Sequence, residues 1–188
     1  MKMLKYIILA LLVIAALLLA VYAYYGGFSE IQFRKVTRDA ETLVYEEMKG
    51  DYSQCGPVMD RVYYSLLNDY KVQTYKGFGL YYDNPKEVAK ENLRSDIGCL
   101  LEKTDTAKIA SIAQKFKVKT YEGGDFIETQ FPNKGMVSVL VGVMRVYPAL
   151  DAYMKESGYV SKDAIMEIYD KPNKTITYRV RISSSPAK

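Results

Sequence analysis

The sequence predicts an α+β domain made of two βαββ units behind one N-terminal transmembrane helix. Three observations support this: an uncharged 20-residue stretch from Tyr6 to Tyr25, a strand–helix–strand–strand order that occurs twice, and residue matches between the two occurrences at a shift of 87 positions. The first unit spans residues 41–102 and the second 126–182, within a domain of residues 39–183. A five-residue tail (1–5), the anchor (6–25) and a juxtamembrane linker (26–38) precede the domain, and residues 184–188 form a short tail.

The anchor expectation follows from length and composition. At 1.5 Å per residue, the stretch from Tyr6 to Tyr25 covers roughly 30 Å, the thickness of a bilayer's hydrocarbon core. Lys2 and Lys5 precede it, and Tyr22, Tyr24 and Tyr25 stand where an interfacial aromatic belt would form. A cleaved signal peptide is the competing reading, with Val21-Tyr22-Ala23 as its cleavage site. The run is longer than an ordinary signal core, which favours a retained single-pass anchor. Arg34, Lys35 and Arg38 nearly balance the two leading lysines, so charge assigns the domain to neither side of the membrane.

Glu41 to Met48 carries strand-forming residues and ends at the turn Lys49-Gly50-Asp51. Ser53 is a candidate helix cap, and Val58, Val62 and Leu66 then recur at near-helical spacing up to Asn68. Gly77 to Asp83 reads as a strand stopped by Asn84-Pro85; Leu93 to Glu102 contains the next, with Gly98 expected at a bulge. Lys103 to Lys115 is a charged connection with a helical pattern through Ile109, Ile112 and Phe116. The order then returns. Phe126 to Phe131 is a strand, and Val137 to Ser157 is a helix whose Pro148 predicts a kink or restart. Ala164 to Asp170 and Thr175 to Ile182 form a hairpin across Lys171-Pro172-Asn173. The shift superimposes Glu41-Thr42 on Glu128-Thr129, and Tyr82-Asp83-x-Pro85 on Tyr169-Asp170-x-Pro172.

Composition narrows the chemistry. The 188 residues include 18 Tyr, two Cys (Cys55 and Cys99) and no His. Serine–histidine triads, Cys–His dyads and His-ligated metals are thereby excluded, and two Cys cannot complete a Cys-only zinc site. No metal or other cofactor is expected. The formal net charge of +4 includes the two lysines before the anchor, which leaves no basic footprint for nucleic acid. Cys55 and Cys99 are expected as buried free thiols, with a disulfide as the alternative in an oxidising compartment.

The twofold βαββ order, with Tyr81-Tyr82-Asp83-Asn84-Pro85 and Leu93-Arg94-Ser95-Asp96-Ile97-Gly98, resembles the gyrase-inhibitor-like small-molecule-binding domain. That fold also forms the effector-binding part of multidrug-responsive regulators. The segments Gln114-Lys115-Phe116, Arg145 to Glu156 and Glu167-Ile168-Tyr169 are similar to anchored reticulophagy-receptor members of the same superfamily. The resemblance implies a pseudo-two-fold cleft that receives lipophilic cations at an acidic residue among aromatic rings.

Alternation on the strand from Ala164 to Asp170 places Ala164, Met166 and Ile168 on one face, suited to packing under the helices. Ile165, Glu167 and Tyr169 take the other. A carboxylate between an aliphatic and an aromatic residue is out of place in a plain core. The shift of 87 relates Tyr169 to Tyr82, so Glu167, Tyr82 and Tyr169 are the leading ligand-binding candidates, followed by Tyr45 and Tyr147. A plainer reading pairs Glu167 with Arg179 or Arg181 across the hairpin.

The expected function is a membrane-anchored, non-catalytic binding module whose partners are the membrane, through residues 6–25, and a small lipophilic or cationic ligand. Two alternatives stand beside it. One is an adaptor that engages a protein partner at the membrane, with the cleft empty or closed; the other is a hydrolase of electrophilic small molecules, with Glu167 as base and a Tyr hydroxyl as acid.

Overall fold

A computed structural model describes residues 2–101, 107–161 and 164–182. The expected short tail at 184–188, and residues 103–106 of the charged connection, lie outside the described residues. Helix α1 runs from Lys2–Tyr24. The domain follows as β1 (Arg34–Arg38), β2 (Glu41–Lys49), α2 (Cys55–Asn68), β3 (Lys76–Tyr81), β4 (Arg94–Leu101), α3 (Ile109–Ile112), β5 (Lys117–Tyr121), β6 (Gly124–Pro132), α4 (Met136–Glu156), β7 (Ile165–Asp170) and β8 (Thr175–Arg181).

All eight strands join one antiparallel sheet in the order β1-β6-β8-β7-β3-β4-β2-β5. The unit β2-α2-β3-β4 fills one half and β6-α4-β7-β8 the other, and they meet where β3 pairs with β7. Two connections show how strongly the sheet curls. Asp39 and Ala40 alone join β1 to β2, and Glu122 and Gly123 alone join β5 to β6, although each link connects strands near opposite ends of the order. Two residues reach only about 7 Å, so the ends of the sheet must approach each other.

Both faces of the curled sheet are buried. Leu43, Tyr45, Phe78, Leu80, Leu100, Met166 and Ile168 fill the inner face. The outer face carries the helices: α2 covers Val44, Cys99 and Leu101, while α4 covers Phe131, Ile176, Tyr178, Ile127 and Val180. This reverses the expected faces of β7. Met166 and Ile168 point inward, and Ile165, Glu167 and Tyr169 lie under the helices. A sheet with two buried faces accepts apolar residues on either, so apolarity could not tell them apart.

Other elements also differ from expectation. Residues 34–38, expected in the linker, form β1, and Lys117–Tyr121 forms β5. Both are short, charged edge strands without an apolar alternation to mark them. The cap of the first helical segment is Asp51, whose carboxylate accepts from the Ser53 N–H at 3.0 Å. Gly98 is not a bulge, since it continues the register against both Tyr45 and Phe78. Helix α4 runs through Pro148 without restarting. Both cysteines are free and buried.

Candidate functional site

Glu167 occupies the middle of β7, opposite Gly79 of β3 and Tyr178 of β8. It is 2% exposed. The Tyr147 hydroxyl, brought by α4, donates to Oε1 at 2.8 Å, and the Tyr169 hydroxyl donates to Oε2 at 2.5 Å. Tyr169 reaches the carboxylate because residues two apart on a strand share a face. Across β3 that face presents Gly77 and Gly79; the Tyr81 ring lies where a Gly79 side chain would stand, and the Met59 thioether where a Gly77 side chain would. Tyr81 stands beside this cluster, where the Glu167 charge, the Cys55 thiol and Tyr169 all act on its hydroxyl. The thiol in turn lies 3.8 Å from the Ser95 hydroxyl. Tyr178 packs edge-on against Tyr147, and its buried hydroxyl has no hydrogen-bond partner among the described residues.

Among the described residues no Lys or Arg forms an ion pair with Glu167. The expected cross-strand pairing with Arg179 does not form, because Arg179 points to the inner face and bonds Glu128 and Glu41 at 2.6 and 2.5 Å. Arg181 donates to the carbonyls of Gly123 and Glu122. Burial raises the Glu167 pKa, and the Tyr169 and Tyr147 hydroxyls offset only part of that rise. Burial and the nearby Glu167 charge hold Tyr81, Tyr147 and Tyr169 well above the ordinary phenol value, which keeps them as donors.

Tyr82 and Tyr45 belong to a second cluster. Tyr82 lies beyond the end of β3, with its N–H on the Arg94 carbonyl, so the shift of 87 does not place it as a counterpart of Tyr169. It lines a cavity of about 570 Å³ together with Tyr45, Arg94, Asp96 and Lys119. The Tyr82 hydroxyl donates to Asp96 at 2.7 Å, Lys119 bonds the same carboxylate, and the Lys119 ammonium lies 4.6 Å from the Tyr45 ring centre. Here the chain supplies its own cation to the carboxylate and rings. Glu167 lacks one.

Of the five residues singled out from sequence, the structure therefore brings Glu167, Tyr147 and Tyr169 together and places Tyr82 and Tyr45 elsewhere. Tyr178 and Tyr81 escaped sequence reasoning. The signal for Tyr178 was present: a hairpin turn between Asp170 and Thr175 sets Glu167 opposite Tyr178.

Residues 31–183 match the GyrI-like small-molecule-binding domain. Human Testis-expressed protein 264 is 30% identical over 87 residues, covering 43% of this chain and 28% of that protein. The mouse homologue is 31% identical over the same length and shares. The chain thus spans under a third of the curated relatives it matches. Among solved structures, the EcmrR C-terminal domain matches with a TM-score of 0.59 at 10% identity, covering 82% of this chain and 99% of that one. SAV2435 bound to tetraphenylphosphonium matches with a TM-score of 0.56 at 13% identity, covering 81% and 94%. At these identities the structural likeness concerns the fold.

Proposed function

The chain belongs to the GyrI-like small-molecule-binding domain family, and from that premise we propose that it is a membrane-anchored module that binds a lipophilic cation at Glu167. The observation that carries this reading is a fully buried carboxyl held by Tyr147 and Tyr169 and lacking a cationic partner among the described residues. A desolvated carboxylate is costly until a cation joins it, and aromatic faces add about 0.5–2 kcal/mol each to that attraction. The unpartnered Tyr178 hydroxyl offers a further polar contact. Tetraphenylphosphonium, the ligand of the structurally similar SAV2435, has the chemistry that a buried carboxylate among phenol rings would accept once they part. Entry requires Tyr147 to leave Glu167, so α4 is the element that opens.

Helix α1 supports the anchor half of the proposal. Its 23 residues are apolar apart from the two leading lysines, and its apolar side chains have no protein cover. The alternative cleavage site after Ala23 lies in the last turn of α1, followed directly by a folded turn: the Gly27 N–H bonds the Tyr22 carbonyl at 2.7 Å and the Tyr22 ring packs on Phe28. That geometry favours retention over processing.

The test is equilibrium binding of tetraphenylphosphonium to the full chain in detergent micelles. Wild type should bind, and Glu167→Gln should weaken binding roughly tenfold or more by removing the charge while keeping the shape. Equal affinity in the variant would overturn the assignment. A hydrolytic second reading uses the same groups, since a carboxyl with a raised pKa beside two phenols has the parts of a base and an acid. Consumption of an electrophilic strained-ring compound over time by wild type, and not by Glu167→Gln, would favour it.

A further inference from the structure

Helix α4 covers Glu167 with its middle, through Tyr147, and its N-terminal half carries an apolar ridge that none of the described residues covers. Met136, Leu140 and Met144 are 66%, 58% and 75% exposed, with Val137 and Val143 beside them. Their three- and four-residue spacing puts them on one side of the helix. Further along the same side stand Asp151 and Lys155, both exposed. The ridge is therefore apolar only in the half next to the end of α1.

That half is tied to the end of α1 by side-chain bonds. The Lys134 ammonium donates to the Tyr24 carbonyl at 2.8 Å and lies 4.2 Å from the centre of the Tyr24 ring. The Ser138 hydroxyl donates to the Tyr25 carbonyl at 3.3 Å. The Arg145 guanidinium donates to the carbonyls of Gly26 and Ser29 at 2.9 and 2.6 Å. These bonds hold α4 at a set position beside the anchor. The surroundings suit a membrane interface, since Tyr22, Tyr24 and Phe28 are exposed aromatics and Lys134 is an exposed cation.

We infer that the N-terminal half of α4 rests in the interface of the bilayer that α1 enters, with Met136, Leu140 and Met144 among the acyl chains. The inference rests on reading α1 as a membrane anchor. It commits to lipid because the ridge is continuous with the anchor's exit and becomes charged away from it. An amphipathic helix lying this way buries its apolar side about 5–10 Å into the interface. The helix that covers Glu167 would then be in contact with lipid, so an amphiphilic cation dissolved in the interface meets that helix first.

The test uses the full chain in phosphatidylcholine vesicles with an environment-sensitive fluorophore on Leu140→Cys, Met144→Cys, Asp151→Cys or Lys155→Cys. All four positions are exposed, and the native thiols are buried. Doxyl-labelled lipid should quench the labels at 140 and 144 roughly twofold or more, and leave those at 151 and 155 unchanged. If the chain floats with the vesicles while the 140 and 144 labels remain open to aqueous iodide, the inference falls and the anchor stands. Labels at 140 and 144 shielded from both quenchers would assign the ridge to a protein or a second copy, again overturning it. A chain that does not float overturns the anchor reading, and this inference with it.

Discussion

Glu167 and Glu128 are both shielded from water, yet their carboxyls shift in opposite directions. Burial favours the neutral form of each, but at Glu128 the Arg38 hydrogen bonds and the Arg179 charge outweigh burial, and the pKa is lowered. At Glu167 burial outweighs the hydrogen bonds from Tyr169 and Tyr147, and the pKa is raised. The stability that Glu167 contributes is fully present below the ordinary carboxylate value of 4.5 and is lost as pH rises through its raised folded value. Glu167→Gln cannot ionise. Its melting temperature should match wild type near pH 4 and exceed it near pH 8, by an amount worth on the order of 1 kcal/mol. A cation bound at Glu167 would reverse that ranking, because wild type alone would gain from the ligand. Thermal unfolding of both proteins at the two pH values, with and without tetraphenylphosphonium, checks each part. At this scale the sequence already singled out Glu167, since alternation exposed a carboxylate in a row of apolar neighbours. The shift of 87 was a poorer guide. It equated Tyr82 with Tyr169, whereas no single shift carries β2, β3 and β4, starting at Glu41, Lys76 and Arg94, onto β6, β7 and β8, starting at Gly124, Ile165 and Thr175.

Helices α2 and α4 and the central strands were legible because each buries a periodic apolar set, as α2 does with Val58, Val62 and Leu66. Edge strands β1 and β5 were not. Arg34-Lys35-Val36-Thr37-Arg38 reads as a charged linker, and only pairing with β6 makes it a strand. Gly98 illustrates a further limit. A glycine in a strand suggested a bulge, but β4 keeps its register and the glycine serves close backbone approach instead. A Cβ there would fall 1.9 Å from the Val44 carbonyl oxygen and 2.8 Å from the Tyr45 Cα. Neither atom can yield without opening the β2–β4 ladder. Gly98→Ala should therefore destabilise the domain by about 3 kcal/mol or more, visible as a lowered midpoint in thermal unfolding. Gly56→Ala in α2 is the contrasting control, because a Cβ at Gly56 meets nothing within 4 Å. It should be neutral or slightly stabilising through helix propensity.

The curl of the sheet brings distant strands together and decides which charges meet. Arg179 of β8 reaches Glu41 of β2, four places away in the strand order, while also bonding Glu128 of β6, which Arg38 of β1 holds from its other side. The guanidinium lies 5.3 Å from the centre of the Phe126 ring. Sequence periodicity could not reveal this network, because it records which residues share a face and not how far that face bends. Alternation rather than the bend keeps Arg179 from Glu167: it sends the arginine inward and the carboxyl outward under α4. Removing Arg179 tests whether the network stabilises the closed sheet. Arg179→Met keeps much of the apolar stem but leaves Glu128, about 1% exposed, with Arg38 alone. A cost of about 3 kcal/mol near neutral pH is expected for stranding a buried carboxylate. The pH dependence separates charge from packing. Because Glu128 has a lowered pKa in the wild type, the stability it supplies is present above 4.5 and is lost as pH falls through its lowered folded value. The gap between wild type and Arg179→Met should therefore narrow in acid. A gap of constant size across that range would mean that the arginine acts by filling space and that the charges are incidental to closure.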